Sequence, residues 1–257
     1  MIKAVFVDFD STLYSHKTNR IPESAALAVN KLRENDIKVF ICSGRSLYEM
    51  DNFDLTSITI DGMIANNGQL AYDQKNNILY RHPISGELKD KLVSIFKDKK
   101  IPIFFNCEKY LFASFINEKV RKTQSDINSP EPMVKEYEDE NFYMVSCFLS
   151  NDSELEKIME LKDLASITYW HDGAVDIVTK DASKAKGIEE IINLFGIKKE
   201  ETMGIGDSEN DIDMLEYCEI GVAVGNAKDS VKQAADYISD DIDEDGLYNA
   251  VKHFNLI

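Results

Sequence analysis

The sequence is short of positive charge. Lysine and arginine number 29 against 46 aspartates and glutamates, a formal net charge of −17 at pH 7. The basic footprint that nucleic acid or an anionic membrane selects for is therefore missing, and neither is expected as a partner. Only four cysteines occur (Cys42, Cys107, Cys147 and Cys218), with no C-x-x-C pair. In a chain this long they read as buried thiols, not as a disulfide frame or a zinc site. No apolar run reaches roughly 18 residues, the length a transmembrane helix needs. Lys3 is followed directly by Ala4-Val5-Phe6-Val7-Asp8, without the apolar h-region and cleavage site of a signal peptide. A cytoplasmic location is the expectation. Repeats and low-complexity tracts are also absent.

What is present is ordinary globular material. Apolar residues make up 44% of the chain and charged residues 29%, which argues against general disorder. A chain of 257 residues can bury one large or two medium cores without staples.

Ile2 to Val7 is a nearly unbroken apolar run, suited to a strand buried on both faces of a parallel sheet. Pro22 and Glu23 open a helical stretch whose apolar Ala25, Leu27, Ala28 and Leu32 are expected on its buried face. Ile37 to Ile41 is a second short strand, completing a βαβ unit. The same grammar returns later in the chain. Lys184 to Phe195 is amphipathic and stops at Gly196. Thr202 to Ile205 and Ile220 to Val224 are strands, and Lys228 to Ala235 is a helix. Between these halves lie paired β-like runs (Ile101–Phe105, Tyr110–Phe115, Phe142–Leu149, Ile167–Tyr169, Val175–Val178) and helical stretches at Gly86–Lys99 and Ser153–Leu161. Thr123 to Glu140, with Pro130 and Pro132, is expected to be an exposed loop. The expected fold is α/β: a Rossmann-like three-layer core with a parallel sheet, formed by residues 1–81 and 182–257, interrupted by an inserted α+β domain over residues 82–181.

In open α/β sheets ligands bind beyond the carboxyl ends of the strands, and four polar clusters fall there. Asp8-Phe9-Asp10-Ser11-Thr12 places two carboxylates two residues apart, one able to act as a nucleophile and the other to move a proton. Asp and Ser also serve turns and helix caps. Ser43-Gly44-Arg45 offers a hydroxyl and backbone N–H donors to phosphate oxygens; its local alternative is a capped turn. Lys184, in Asp181-Ala182-Ser183-Lys184-Ala185-Lys186-Gly187, sits at a helix start against the dipole, a hint that its ammonium is needed there. Lys186 competes with it. Gly206-Asp207-Ser208-Glu209-Asn210-Asp211 supplies oxygen ligands of the kind Mg²⁺ takes, or an acidic first helical turn. Asp213 and Glu216 read as solvated face residues.

Taken together, in this order, the clusters resemble the haloacid dehalogenase (HAD) superfamily of phosphohydrolases. D-F-D-S-T-L resembles its first motif, Ser43 its second, Lys184 its third and G-D-S-E-N-D its fourth. The insertion resembles the class IIB cap of the Cof-type subfamily, as do Asn66-Asn67-Gly68 and Gly221-Val222-Ala223-Val224-Gly225-Asn226-Ala227. Two departures stand out: Ser11 replaces the usual glycine, so a left-handed backbone there would be strained, and Ala185 follows the motif lysine. Lys184 fits the family spacing better than Lys186.

The resemblance implies a phosphatase acting on a small phosphorylated metabolite, with sugar phosphates foremost. Asp8 would be the nucleophile forming an aspartyl-phosphate, and Asp10 the proton donor and acceptor. Mg²⁺ would be held by the Asp8 carboxylate, the Asp10 carbonyl and Asp207, with Asp211 in support. Ser43, Gly44, Lys184 and Asn210 would bind the phosphoryl group. Cap contacts would come from among Asn106, Tyr110, Trp170, His171 and Asp172. The protein would be a monomer or homodimer. A sugar phosphomutase and a non-catalytic phospho-ligand binding protein are the competing expectations; a receiver-type signalling domain fits badly, because such modules have no use for a large insertion.

Overall fold

The structure, a computed structural model, describes residues 1–127 and 129–257. The chain divides into two compact units. The first holds Met1–Gly44, Phe53–Tyr80 and Ser183–Ile257, and the second Arg45–Asn52 and Arg81–Ala182.

The first unit is built on an eight-stranded sheet. From one edge its strands are Tyr237–Ile238, Ile220–Ala223, Thr202–Gly206, Ala4–Val7, Lys38–Cys42, Gly62–Ala65, Leu70–Asp73 and Ile78–Arg81. The first six pair in parallel, and Leu70–Asp73 turns back antiparallel on Gly62–Ala65. This is the expected α/β class, with an antiparallel margin on the parallel sheet.

Burial on both faces accounts for the unbroken apolar runs. Ala4, Phe6, Phe40, Cys42 and Ile64 join one core with Ile188, Ile191 and Ile192 of the helix Lys184–Phe195. The intervening Val5, Val7, Val39 and Ile41 are buried too. Helix Glu23–Glu34 packs on strand Lys38–Cys42 and on helix Gly246–His253. It follows Pro22, carries Glu23 in its first turn and Lys31 and Arg33 in its last, and so matches its dipole at both ends. Its buried stripe is Ala25, Ala26, Ala28, Val29 and Leu32. Leu27, expected there, is 47% exposed. It lies two residues past Ala25, about 200° around the helix, off the i, i+3, i+4, i+7 line.

The second unit carries a six-stranded sheet in the order Ala165–His171, Ala174–Thr179, Met144–Phe148, Ile103–Asn106, Leu111–Ala113 and Met133–Val134. Its pairings are antiparallel except the last. Ile103, Phe105, Val145, Cys147, Val175 and Ile177 form a core with Leu88, Leu92, Ile95 and Phe96 of helix Gly86–Asp98 and Ile158 of helix Asp152–Met159. The short helix Leu47–Met50 groups here despite its place in the sequence, because Tyr48 packs on the cluster of Phe104 and Phe148. The stretch from Thr123 to Glu140 is not a plain exposed loop. Asn117 caps the Val120 N–H at 3.0 Å, helix Glu118–Asp126 follows with Thr123 and Gln124 buried, and Met133–Val134 joins the sheet. Val120 is the one buried aliphatic anchor of that helix, too few for a periodic signal. Asn128, within the stretch, lies outside the described residues. All four cysteines are free and buried.

Candidate active site

Three parallel strands of the first unit end level. Val7 is in register with Ile205 on one side and Ile41 on the other. Asp8, Asp207 and Ser43 therefore leave the sheet at the same carboxyl end. Asp8 is 6% exposed, and its N–H donates to the Ile205 carbonyl at 2.9 Å.

Lys184 is wholly buried at the start of its helix, with Nζ 2.5 Å from Asp8 Oδ1 and 2.5 Å from Asp211 Oδ1. The other oxygen of Asp211 accepts the N–H groups of Asp207 and Ser208 at 3.0 and 2.9 Å. One carboxylate thus ties the lysine to the loop after strand Thr202–Gly206. Gly206 is required for this approach: a Cβ there would lie 2.5 Å from Asp211 Cγ. Lys186, the competing lysine, is exposed and pairs with Glu189 at 2.7 Å. Asp213, expected on a solvated face, instead accepts the Ala185 N–H at 2.9 Å. A carboxylate at this helix N-terminus offsets the unfavourable lysine. Glu216 is exposed as expected.

Asp207 is held at both oxygens, Oδ1 accepting from the buried Thr12 hydroxyl at 2.8 Å and Oδ2 from Ser208 at 3.1 Å. Thr12 belongs to the D-F-D-S-T-L motif but carried no expectation of its own, and its bond to Asp207 is a finding of the structure. Asp8, Asp207 and Asp211 have carboxylate oxygens within 4.8 Å of one another. The Asp10 side chain stands outside this group, a third exposed, with Oδ1 2.8 Å from His16 Nε2. Ser11 has φ of 62°, the left-handed backbone that suits glycine, and its carbonyl accepts from Asn226 at 2.8 Å.

Ser43 is buried and donates its N–H to the Ile64 carbonyl at 2.9 Å. The Asn210 amide donates to Asn67 Oδ1 at 3.2 Å. Asn67 also lies against Gly44. It was visible in the sequence only as part of Asn66-Asn67-Gly68. Of the five candidate cap contacts, Asn106 is buried and donates to the Met144 carbonyl at 3.4 Å, and Trp170 donates to Asp176 at 3.0 Å. Tyr110 packs against the core of the second unit. His171 pairs with Asp126 at 3.4 Å and Asp172 with Lys119 at 3.7 Å.

Three buried carboxylates share one ammonium. Burial, then the neighbouring Asp211, pushes the Asp8 carboxyl well above its usual range against the pull of Lys184. Burial and Asp211 likewise raise Asp207 to about 6, opposed by its bonds from Thr12 and Ser208. Burial acts to lower Lys184, but Asp211 and Asp8 outweigh it and hold the ammonium well above its usual value. The cluster is surplus in negative charge and consists of hard oxygen donors. Both properties fit a divalent cation such as Mg²⁺, and such an ion would relieve the crowding.

Residues 5–251 match the family model of haloacid dehalogenase-like hydrolases. YkrA of Bacillus subtilis (strain 168), named as a candidate phosphatase, is 30% identical over 260 residues, covering 99% of this chain and 98% of its own. Phosphoglycolate phosphatase 1 of Saccharolobus solfataricus is 31% identical over 241 residues, 93% of this chain and 90% of its own. Among solved structures, a HAD subclass IIB sugar phosphatase superposes with a TM-score of 0.85 at 35% identity, covering 99% of this chain and 100% of that one.

Proposed function

The chain belongs to the haloacid dehalogenase-like hydrolase family and is a phosphatase; from this we propose that it hydrolyses a small phosphorylated metabolite, a sugar phosphate foremost, through an aspartyl-phosphate on Asp8 with Mg²⁺ as cofactor. The observation that carries the reading is the buried cluster of Asp8, Lys184, Asp207 and Asp211 at the carboxyl end of the sheet.

An Asp8 carboxylate oxygen attacks phosphorus and the bond to the leaving alcohol breaks. Asp10 donates a proton to that alcohol. Water then attacks the phosphorus of the aspartyl-phosphate, Asp10 takes the water proton, and orthophosphate leaves with Asp8 restored. Lys184 screens the approach of an anionic group to the Asp8 carboxylate. The Ser43 hydroxyl, the Gly44 N–H and the Asn210 amide bind phosphoryl oxygens. Mg²⁺, held by Asp8, Asp207 and the Asp10 carbonyl with Asp211 in support, would neutralise charge on the transferring group. In this reading the second unit is a class IIB cap. The sugar phosphate assignment leans on the subclass IIB sugar phosphatase, which is 35% identical.

The test is phosphate release from p-nitrophenyl phosphate, with Mg²⁺ or with EDTA, by wild type and Asp8→Asn, followed by a panel of sugar phosphates. Release that needs Mg²⁺ and is lost in the folded variant supports the reading. More than trace turnover by Asp8→Asn removes Asp8 as nucleophile.

A further inference from the structure

The turn Asn66-Asn67-Gly68 touches three of the clusters described above and has been given no role. All three residues have positive φ: 51°, 51° and 95°. Two consecutive non-glycine residues in the left-handed region are uncommon, and asparagine tolerates it best.

Each contact of the turn reaches a different part of the site. The Asn67 N–H donates to the Ser43 carbonyl at 3.2 Å. Asn67 Oδ1 accepts from Asn210 Nδ2 at 3.2 Å. The same amide abuts Gly44, where a Cβ would lie 3.1 Å from Oδ1. Gly68 lies against the start of the Lys184 helix: a Cβ on it would fall 2.0 Å from the carbonyl of Ser183, the residue that caps that helix. From the other side, a Cβ on Gly187 would meet Gly68 Cα at 3.0 Å. The phosphate loop, the Asn210 loop and the lysine helix therefore rest on one backbone turn.

We infer that Asn67 is a positioning residue for phosphoryl recognition: its amide fixes the Asn210 amide and the Ser43-Gly44 loop relative to each other, so that their donors converge on one anion. The inference rests on the phosphohydrolase reading above. An amide nitrogen carries two N–H donors. With one given to Asn67, the other is held in a fixed direction for an anion. Residue 67 must combine left-handed backbone with a neutral acceptor. Glycine meets only the first requirement. Aspartate meets the first and accepts the same bond, but adds negative charge where an anion is to bind. Alanine meets neither.

The experiment measures orthophosphate as a competitive inhibitor of p-nitrophenyl phosphate hydrolysis, together with KM, kcat and melting temperature. The variants are Asn67→Gly, Asn67→Asp, Asn210→Ala and the double variant Asn67→Gly/Asn210→Ala. Asn67→Gly is expected to melt with the wild type and to weaken orthophosphate inhibition and raise KM by about tenfold, the scale of one hydrogen bond to an ionised group, with a smaller change in kcat. Asn210→Ala, which removes the phosphoryl donor itself, is expected to lose at least as much, and the double variant no more than Asn210→Ala alone, since Asn67 acts through the Asn210 amide. Asn67→Asp, which keeps the bond, is expected to fold and to bind orthophosphate still more weakly. Unchanged inhibition in Asn67→Gly, or losses that add in the double variant, overturns the inference while leaving the phosphohydrolase reading in place. A wild type that hydrolyses nothing and binds no orthophosphate overturns that reading and the inference with it.

Discussion

Lys184 Nζ lies 2.5 Å from Asp8 Oδ1, although 176 positions separate the two residues in the chain. The same ammonium is also 2.5 Å from Asp211 Oδ1, so removing it leaves two buried carboxylates facing each other. Lys184→Met should destabilise the fold by about 3–5 kcal/mol, the usual cost of leaving buried charge unpaired, and abolish phosphate release. Lys186→Met should stay within about 0.5 kcal/mol, because that lysine is on the surface. Urea unfolding of the two variants checks the contrast. Equal midpoints would mean that Lys184 carries no structural weight.

Metal and pH should act together on stability. Burial and Asp211 raise Asp207 to about 6 in the metal-free fold, against roughly 3.9 for an unfolded chain. Between those values the folded state binds more protons than the unfolded one, so stability falls as pH rises from about 4 to about 6. Asp8, raised in the same direction, adds to the trend. Mg²⁺ needs the deprotonated carboxylates, so its stabilising effect should grow across the same window. At a hundredfold excess over its dissociation constant it should add about 2.7 kcal/mol. Calorimetry with Mg²⁺ or EDTA at pH 5 and pH 7.5 decides the matter. A magnesium shift of equal size at both pH values would contradict the shared site.

Much of this was legible, because each element of the sheet advertises itself locally. Val5, Phe6 and Val7 are buried in an unbroken apolar run, and the acids follow at its end. Gly196 marks the end of the amphipathic Lys184–Phe195 helix. The less legible features depend on contacts between distant parts of the chain. Thr12 meets Asp207 across 195 positions and Asn67 meets Asn210 across 143, and neither pairing leaves a periodic trace. Asp213 looked solvated because its partner, the Ala185 N–H, is a backbone group on another helix. Leu27 faces out because helical geometry turns it about 200° from Ala25, to the side opposite the buried stripe.

Asp176 in the second unit gives a separate pH test. Burial raises its carboxyl to about 7, against the opposing hydrogen bonds from Ser146 at 2.6 Å and Trp170 at 3.0 Å. A raised acid pKa lowers stability as pH climbs from about 4 to about 7, by on the order of 4 kcal/mol in full. Asp176→Asn keeps an acceptor for both donors and removes the titration. Its stability relative to wild type should therefore rise across that window and level off above it. Denaturant midpoints at pH 5 and 8 measure this; a difference that does not change with pH would mean the carboxyl is not held protonated.

Ser11 offers the sharpest test of local strain beside the site. Its φ of 62° is fixed from both sides, by its own N–H on the Tyr14 carbonyl at 2.9 Å and by Asn226 on its carbonyl at 2.8 Å. Left-handed backbone costs a non-glycine residue about 1–2 kcal/mol. Glycine removes that strain but gives back about 0.5–1 kcal/mol through the greater freedom of the unfolded chain. Ser11→Gly should therefore be neutral to slightly stabilising. Ser11→Val adds β-branching, which the left-handed region tolerates worst, and should destabilise by more than about 1 kcal/mol. The flanking hydrogen bonds hold the turn in both variants, so Asp8 and Asp10 should stay in place and Ser11→Gly should keep wild-type turnover. Thermal unfolding of the pair reads the strain, and the rate of phosphate release reads the geometry. A clearly destabilised Ser11→Gly would show that the serine side chain contributes more than its backbone costs.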